Sequence, residues 1–293
     1  MPRVLANGIE IEYETFGDPG GVPILLIAGL GVQMLSWDDG FCELLASRGF
    51  RVIRFDNRDC GLSTWMEAAG PPDIGAALSG DGQPAYHLDD MAADAAGLLD
   101  ALGIPSAHVV GASMGGFIAQ LVAINHPERV LSLTSIMSGP GGEDEVQPTP
   151  EGVAVLLASP PTTREESITQ GMLARKVLKG SLDPYDEAFE LARVTRSVER
   201  ATYPEGSARQ FVAIMVAKSR IERLGSIRVP VLVIHGVDDI LIPVENGRLV
   251  AAAAPGAWLI EIEGMGHDLP ERVWPQVVDS IADLTRQTAT SNT

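Results

Sequence analysis

A series of short apolar segments, each parted from the next by enough chain for a helix, constrains this sequence more than any other feature. Residues 23–28 (Pro-Ile-Leu-Leu-Ile-Ala), 51–56, 107–111, 130–136, 231–235 and 258–262 are strand-length and rich in Val, Ile and Leu. A strand buried on both faces reads as such an apolar run, and strands of this kind belong to parallel sheets covered by helices. Residues 9–14 (Ile-Glu-Ile-Glu-Tyr-Glu) instead alternate apolar and polar, which predicts a half-exposed strand, antiparallel and near an edge. Helical stretches fall between the apolar runs, at 41–47, 89–102, 115–125 and 274–285. In the second of these, Met91, Ala95, Leu98, Leu99 and Leu102 share one face, and His126-Pro127 closes the third. Strands alternating with helices predict an α/β architecture, a mostly parallel central sheet flanked by helices.

A chain of 293 residues allows one large domain or a domain with a sizeable insertion. Residues 139–220 break the alternation. They open on a Gly/Pro/acid-rich loop and continue with helical patterns near 153–158, 164–178, 186–201 and 207–219, without a convincing buried strand. The expected organisation is a core formed by 1–138 and 221–293, interrupted by a helical insertion at 139–220 over one end of the sheet. A Gly/Pro-rich stretch at 69–84 reads as a second surface excursion.

Composition narrows the function classes. With 45 % hydrophobic and 20 % charged residues, the chain is of globular type. A net charge of −18 repels phosphate backbones and anionic headgroups, so nucleic acid is not an expected partner. The apolar runs are shorter than the ~20 residues of a bilayer span, so no stable membrane insertion is expected. Residues 1–8 carry no apolar core of a signal peptide. Cys42 and Cys60 lie in no C-x-x-C or Cys/His cluster, which points to two free thiols, no metal site and a reducing, cytoplasmic setting.

Gly111-Ala112-Ser113-Met114-Gly115 is the only G-x-S-x-G in the chain. A bare motif of this kind is weak, but here a buried strand ends at Gly111 and a helix begins just after Ser113. That setting holds a serine on a sharp turn with its hydroxyl exposed. Serine needs a base, and the base needs an acid to hold it. With the chain order Ser, acid, His, only His267 of the five histidines lies beyond a plausible acid. The acid belongs after the preceding strand, where Asp238 and Asp239 are adjacent. The H-G-x-x-D-x-x-x-P spacing from Gly236 to Pro243 selects Asp239, leaving Asp238 to cap or hydrogen-bond the turn. The backbone N–H groups of Met114 and of Leu30, in the Ala28-Gly29-Leu30-Gly31 loop, are the candidate oxyanion donors. Met34, Trp37, Met172 and Met215 are candidate substrate-binding residues; each also admits a plain packing role. This chemistry calls for no cofactor and for a small-molecule ester as substrate.

With these residues placed, the chain resembles the α/β-hydrolase superfamily, and within it bacterial carboxylesterases of the aclacinomycin methylesterase type and their mycobacterial lipase/esterase relatives. The resembling stretches are A-G-L-G-V-Q-M-L-S-W, V-I-R-F-D-N-R-D-C-G-L-S-T, H-V-V-G-A-S-M-G-G, V-I-H-G-V-D-D and G-M-G-H-D-L-P, spanning about residues 22–270. The resemblance implies a helical cap, which 139–220 can supply, and a serine esterase. Many relatives carry His-Gly where this chain has Ala28-Gly29, a change that spares a backbone donor. Relatives with haloalkane or epoxide chemistry use an aspartate nucleophile, against which Ser113 argues. Perhydrolysis, lactone opening and C–C hydrolysis by the same triad remain open at this level, as does a non-catalytic ligand-binding role.

Overall fold

Among the described residues, eight strands in one sheet carry the fold: β1 (Arg3–Ala6), β2 (Ile9–Phe16), β3 (Val22–Ile27), β4 (Phe50–Phe55), β5 (Ala107–Ala112), β6 (Val130–Ile136), β7 (Val231–Gly236) and β8 (Trp258–Ile262), in the order β1-β2-β4-β3-β5-β6-β7-β8. The structure, a computed structural model, describes residues 2–290; residue 1 and residues 291–293, at the outer ends of the two core segments, lie outside the described residues. β2 runs antiparallel to β1 and β4, and the pairings from β4 through β8 are parallel.

The helices are α1 (Asp39–Ser47), α2 (Ile74–Leu78), α3 (Leu88–Ala101), α4 (Met114–Asn125), α5 (Pro150–Leu156), α6 (Arg164–Leu178), α7 (Glu187–Arg200), α8 (Pro204–Met215), α9 (Ile221–Leu224), α10 (Val244–Ala253) and α11 (Trp274–Thr290). Period-two alternation sorts the strand residues between two cores. Ile24, Leu26, Val52, Leu232 and Ile234 pack with α1 and α11 on one face. Leu25, Ile27, Ile53, Val231 and Val233 pack with α3, α4 and α10 on the other. Every residue of β7 is buried, as its unbroken apolar run requires.

Two strands differ from expectation. β1 has no counterpart in the sequence reading, so β2 is one place in from the edge. The connecting dipeptide Asn7-Gly8 has positive φ at both residues (47° and 80°), the signature of a tight hairpin turn and the signal that marks β1. β8 reads as a buried strand but pairs only with β7, and Trp258 is 40 % exposed at this sheet edge.

Between β6 and β7, residues 137–230 contain helices and no strand. α6 buries none of its residues and packs on α7, whereas α8 buries Gln210, Phe211, Val212 and Ala213. The 69–84 stretch includes α2, which packs on α8. The end of β4 ties these parts together. Arg58 grips Asp94 of α3 through two hydrogen bonds of 2.6 and 2.7 Å, and Asp59 takes two from Arg209 of α8 and one from Tyr86.

Candidate active site

Ser113 ends the β5 turn at φ 57° and ψ −125°, a conformation L-residues rarely adopt, and α4 starts at the next residue. The turn is possible because its neighbours lack side chains. A Cβ on Gly111 would strike the Gly115 carbonyl, and one on Gly115 would strike the carbonyl of Ile27. The turn is pinned by hydrogen bonds from Ser113 N–H to Ile136 O (3.0 Å) and from Ser138 Oγ to Ser113 O (2.9 Å).

His267 lies in the loop after β8, with Nε2 2.9 Å from Ser113 Oγ and Nδ1 2.7 Å from Asp239 Oδ2. Asp239 is buried. Its Oδ1 accepts the N–H groups of Leu241 and Ile242, each at 2.9 Å. Burial alone would push this carboxyl up. The positive charge that His267 carries when protonated, its hydrogen bond, and the nearby imidazole of His235 outweigh it and hold Asp239 well below the usual carboxylate range. An ionised Asp239 requires a donor at Nδ1, which leaves the Nε2 lone pair facing the seryl hydroxyl. The arrangement can therefore take a proton from Ser113 and hold the resulting imidazolium against a fixed negative charge.

Asp238 does not serve its own turn. Its Oδ2 accepts from Ser181 N–H (3.0 Å) and Ser181 Oγ (2.5 Å), in the loop after α6. That loop also meets the histidine loop directly: His267 N–H donates to Leu178 O (2.9 Å) and Leu182 N–H to Gly264 O (2.8 Å). Gly180 and Gly266 face one another so closely that a Cβ on either would collide with the other's backbone.

Met114, the first residue of α4, follows Ser113 directly. Gly29 brings the Leu30 loop against the serine, since a Cβ there would lie 3.3 Å from Ser113 Cβ. Asn57 Nδ2 holds the start of this loop by donating to Ala28 O at 3.0 Å.

The remaining expectations divide. Met34 (0 % exposed) and Trp37 (2 %) are buried. Trp37 stacks on Phe41, with ring centroids 5.6 Å apart, and belongs to the core beneath α1 and α11, so it packs rather than lines a site. The apolar sequence after β3 serves the core because α1 folds back over it. Met215, on α8, is 41 % exposed. Met172 is half-buried, and its carbonyl accepts from Tyr185 Oη. Sequence order passed over His235, which precedes the acid. Its imidazole is fully buried, donates from Nε2 to Ile242 O at 2.7 Å and lies 3.5 Å from Asp239 Oδ2.

The fold matches that of known enzymes. The chain belongs to the alpha/beta hydrolase fold family, whose pattern matches residues 22–271. It is 32 % identical to rhodomycin D methylesterase DnrP of Streptomyces peucetius, covering 98 % of this chain and 99 % of that protein. It is 28 % identical to a 2-hydroxy-6-oxononadienedioate/2-hydroxy-6-oxononatrienedioate hydrolase of Burkholderia vietnamiensis, over 90 % and 88 % of the two chains. Among solved structures it is similar to the enol-lactonase from Burkholderia xenovorans LB400, with a TM-score of 0.75 and 25 % identity over 97 % of this chain and 99 % of that one.

Proposed function

We propose that Ser113, His267 and Asp239 are the nucleophile, base and orienting acid of a carboxylic ester hydrolase. The observation that carries this reading is the continuous hydrogen-bonded chain from Ser113 Oγ through the imidazole to Asp239. Ser113 Oγ attacks the ester carbonyl carbon while His267 Nε2 takes its proton. Negative charge moves to the carbonyl oxygen, where the Leu30 and Met114 N–H groups receive it. Collapse breaks the C–O bond to the alcohol, which leaves with the proton from His267. Water then attacks the acyl-serine, gives a proton to His267 and releases the acid as the serine is reprotonated. Asp239 stays ionised throughout and offsets the charge on the imidazolium.

The methylesterase at 32 % identity makes a methyl ester the first substrate to test. Residues 139–220 act as a cap. Their loop after α6 lies on the His267 loop, so they are placed to shape the acyl site. Among the described residues no helix is long and apolar enough to cross a membrane, and Cys42 and Cys60 are free thiols, which suits a cytoplasmic enzyme.

Ser113→Ala should lower turnover of a p-nitrophenyl or methyl ester by more than about 10⁴-fold with the melting temperature preserved. Retained turnover refutes the assignment. A second reading, lactone opening or C–C hydrolysis by the same three side chains, draws on the enol-lactonase and the oxononadienedioate hydrolase. Product analysis across an ester, lactone and vinylogous diketone panel separates the two.

A further inference from the structure

We infer that Gln210 on α8 is a positioning residue for the Leu30 oxyanion donor, so that the helical insertion fixes part of the anion-binding geometry. The inference rests on the serine esterase reading. The loop that carries Leu30 is anchored at both ends by groups near the end of β4. Asn57 holds Ala28 O at the start, and Asp56 Oδ1 accepts Met34 N–H at 2.8 Å at the finish. A further tie near the finish comes from the insertion, where Gln33 Nε2 donates to Ser197 O (2.7 Å) and Ala201 O (2.9 Å).

The middle of the loop has a different support. Gly31 N–H donates to Gln210 Oε1 at 2.8 Å, and Gln210 Nε2 donates in turn to Arg58 O at 2.7 Å. Gln210 is 0 % exposed and its bond to Arg58 O is buried, so water does not replace it there. The site needs one group that accepts from a backbone N–H and donates to a backbone carbonyl, which a side-chain amide does with both ends. Close packing reinforces the bond. Gly31 has φ 65°, and a Cβ on it would lie 2.7 Å from Ser207 Oγ, on the same helix as Gln210. The peptide held this way joins Leu30 to Gly31, one residue from the N–H that receives the oxyanion. If the glutamine is lost, the partly buried Gly31 N–H loses its acceptor, and the loop is free to rotate the peptide next to Leu30.

The test compares Gln210→Met, similar in size but without hydrogen-bonding capacity, with the unmodified enzyme and with Ser113→Ala. The readouts are kcat and KM on a p-nitrophenyl ester, the rate–pH profile, and affinity for an aryl trifluoromethyl ketone. This ketone adds the seryl oxygen to its carbonyl carbon, passes the proton to His267 and places an oxyanion between the two donors. The expected result is a fall in kcat of about 10- to 100-fold, KM within about threefold, an unshifted pH profile, and ketone affinity reduced in step with kcat/KM. A folded variant with unchanged kcat overturns the inference, as does a fall in kcat without loss of ketone affinity. If Gln210→Met does not fold, Gln210→Glu keeps the acceptor for Gly31, and ketone affinity within about threefold of the parent is expected. A larger loss there overturns the inference. Turnover surviving in Ser113→Ala would instead sink the esterase reading itself.

Discussion

Replacing Asp239 by asparagine exchanges one oxygen for an NH2 group and leaves the shape of the side chain unchanged. The surroundings then decide which way the amide points. Oδ1 accepts two backbone N–H groups, from Leu241 and Ile242, each at 2.9 Å. The amide keeps both only if its oxygen stays there. Reversing it would forfeit two hydrogen bonds of about 1 kcal/mol each and set NH2 against two donors. The oxygen therefore remains, and NH2 faces His267 Nδ1. A donor at that place demands a lone pair on Nδ1, so the imidazole carries its proton on Nε2, toward Ser113 Oγ. It then has no site to receive the seryl proton. The same exchange in the chymotrypsin-type triad lowers kcat about 10⁴-fold, equivalent to about 5.5 kcal/mol of barrier, and a loss of that order is expected here. Steady-state hydrolysis of a p-nitrophenyl ester measures it, with a thermal melt to show that the fold persists. A loss of less than about tenfold in a folded variant would refute the tautomer argument.

Other perturbations read the scaffold. Burial pushes the His108 pKa down to about 4, and the ring hydrogen-bonds Ser132 Oγ at 2.8 Å. The unfolded chain then binds the extra proton between about pH 6.5 and 4, so this stability is complete above pH 6.5 and drains away on acidification, by at most about 3 kcal/mol. Urea midpoints measured against pH should show that slope, and His108→Gln should flatten it. Gly111→Ala drives a methyl group into the Gly115 carbonyl and should cost at least about 3 kcal/mol in urea unfolding, or yield insoluble protein. Asp94→Ala leaves the buried Arg58 guanidinium without its partner and should cost about 3–5 kcal/mol by the same assay.

Much of the architecture was legible because the central parallel strands are buried on both faces and so read as mostly apolar runs. β6 and α6 fall where periodicity puts them, at Val130–Ile136 and Arg164–Leu178. β8 misled because its apolar composition does not distinguish an edge strand from a central one. The Ser113, His267 and Asp239 side chains meet as their order along the chain suggests, since motif spacing and strand–turn–helix context are local properties. Trp37 shows the opposite case. Whether an apolar side chain lines a site or fills a core depends on how α1 packs over it. Gln210 and His235 were illegible for a related reason. Their partners, Gly31 and Asp239, are brought to them only by the assembled tertiary structure.

The facing glycines Gly180 and Gly266 bear on how such enzymes can be recombined. An excision of the intervening helices looks, on the covalent chain, like a cut at two seams, near residues 137 and 230. Backbone contact between the 178–182 loop and the 264–267 loop creates a third seam that no sequence alignment of the inserted segment reveals. A chimera that borrows foreign helices without this loop would import new substrate contacts while unseating the imidazole. The workable unit of exchange includes both loops together.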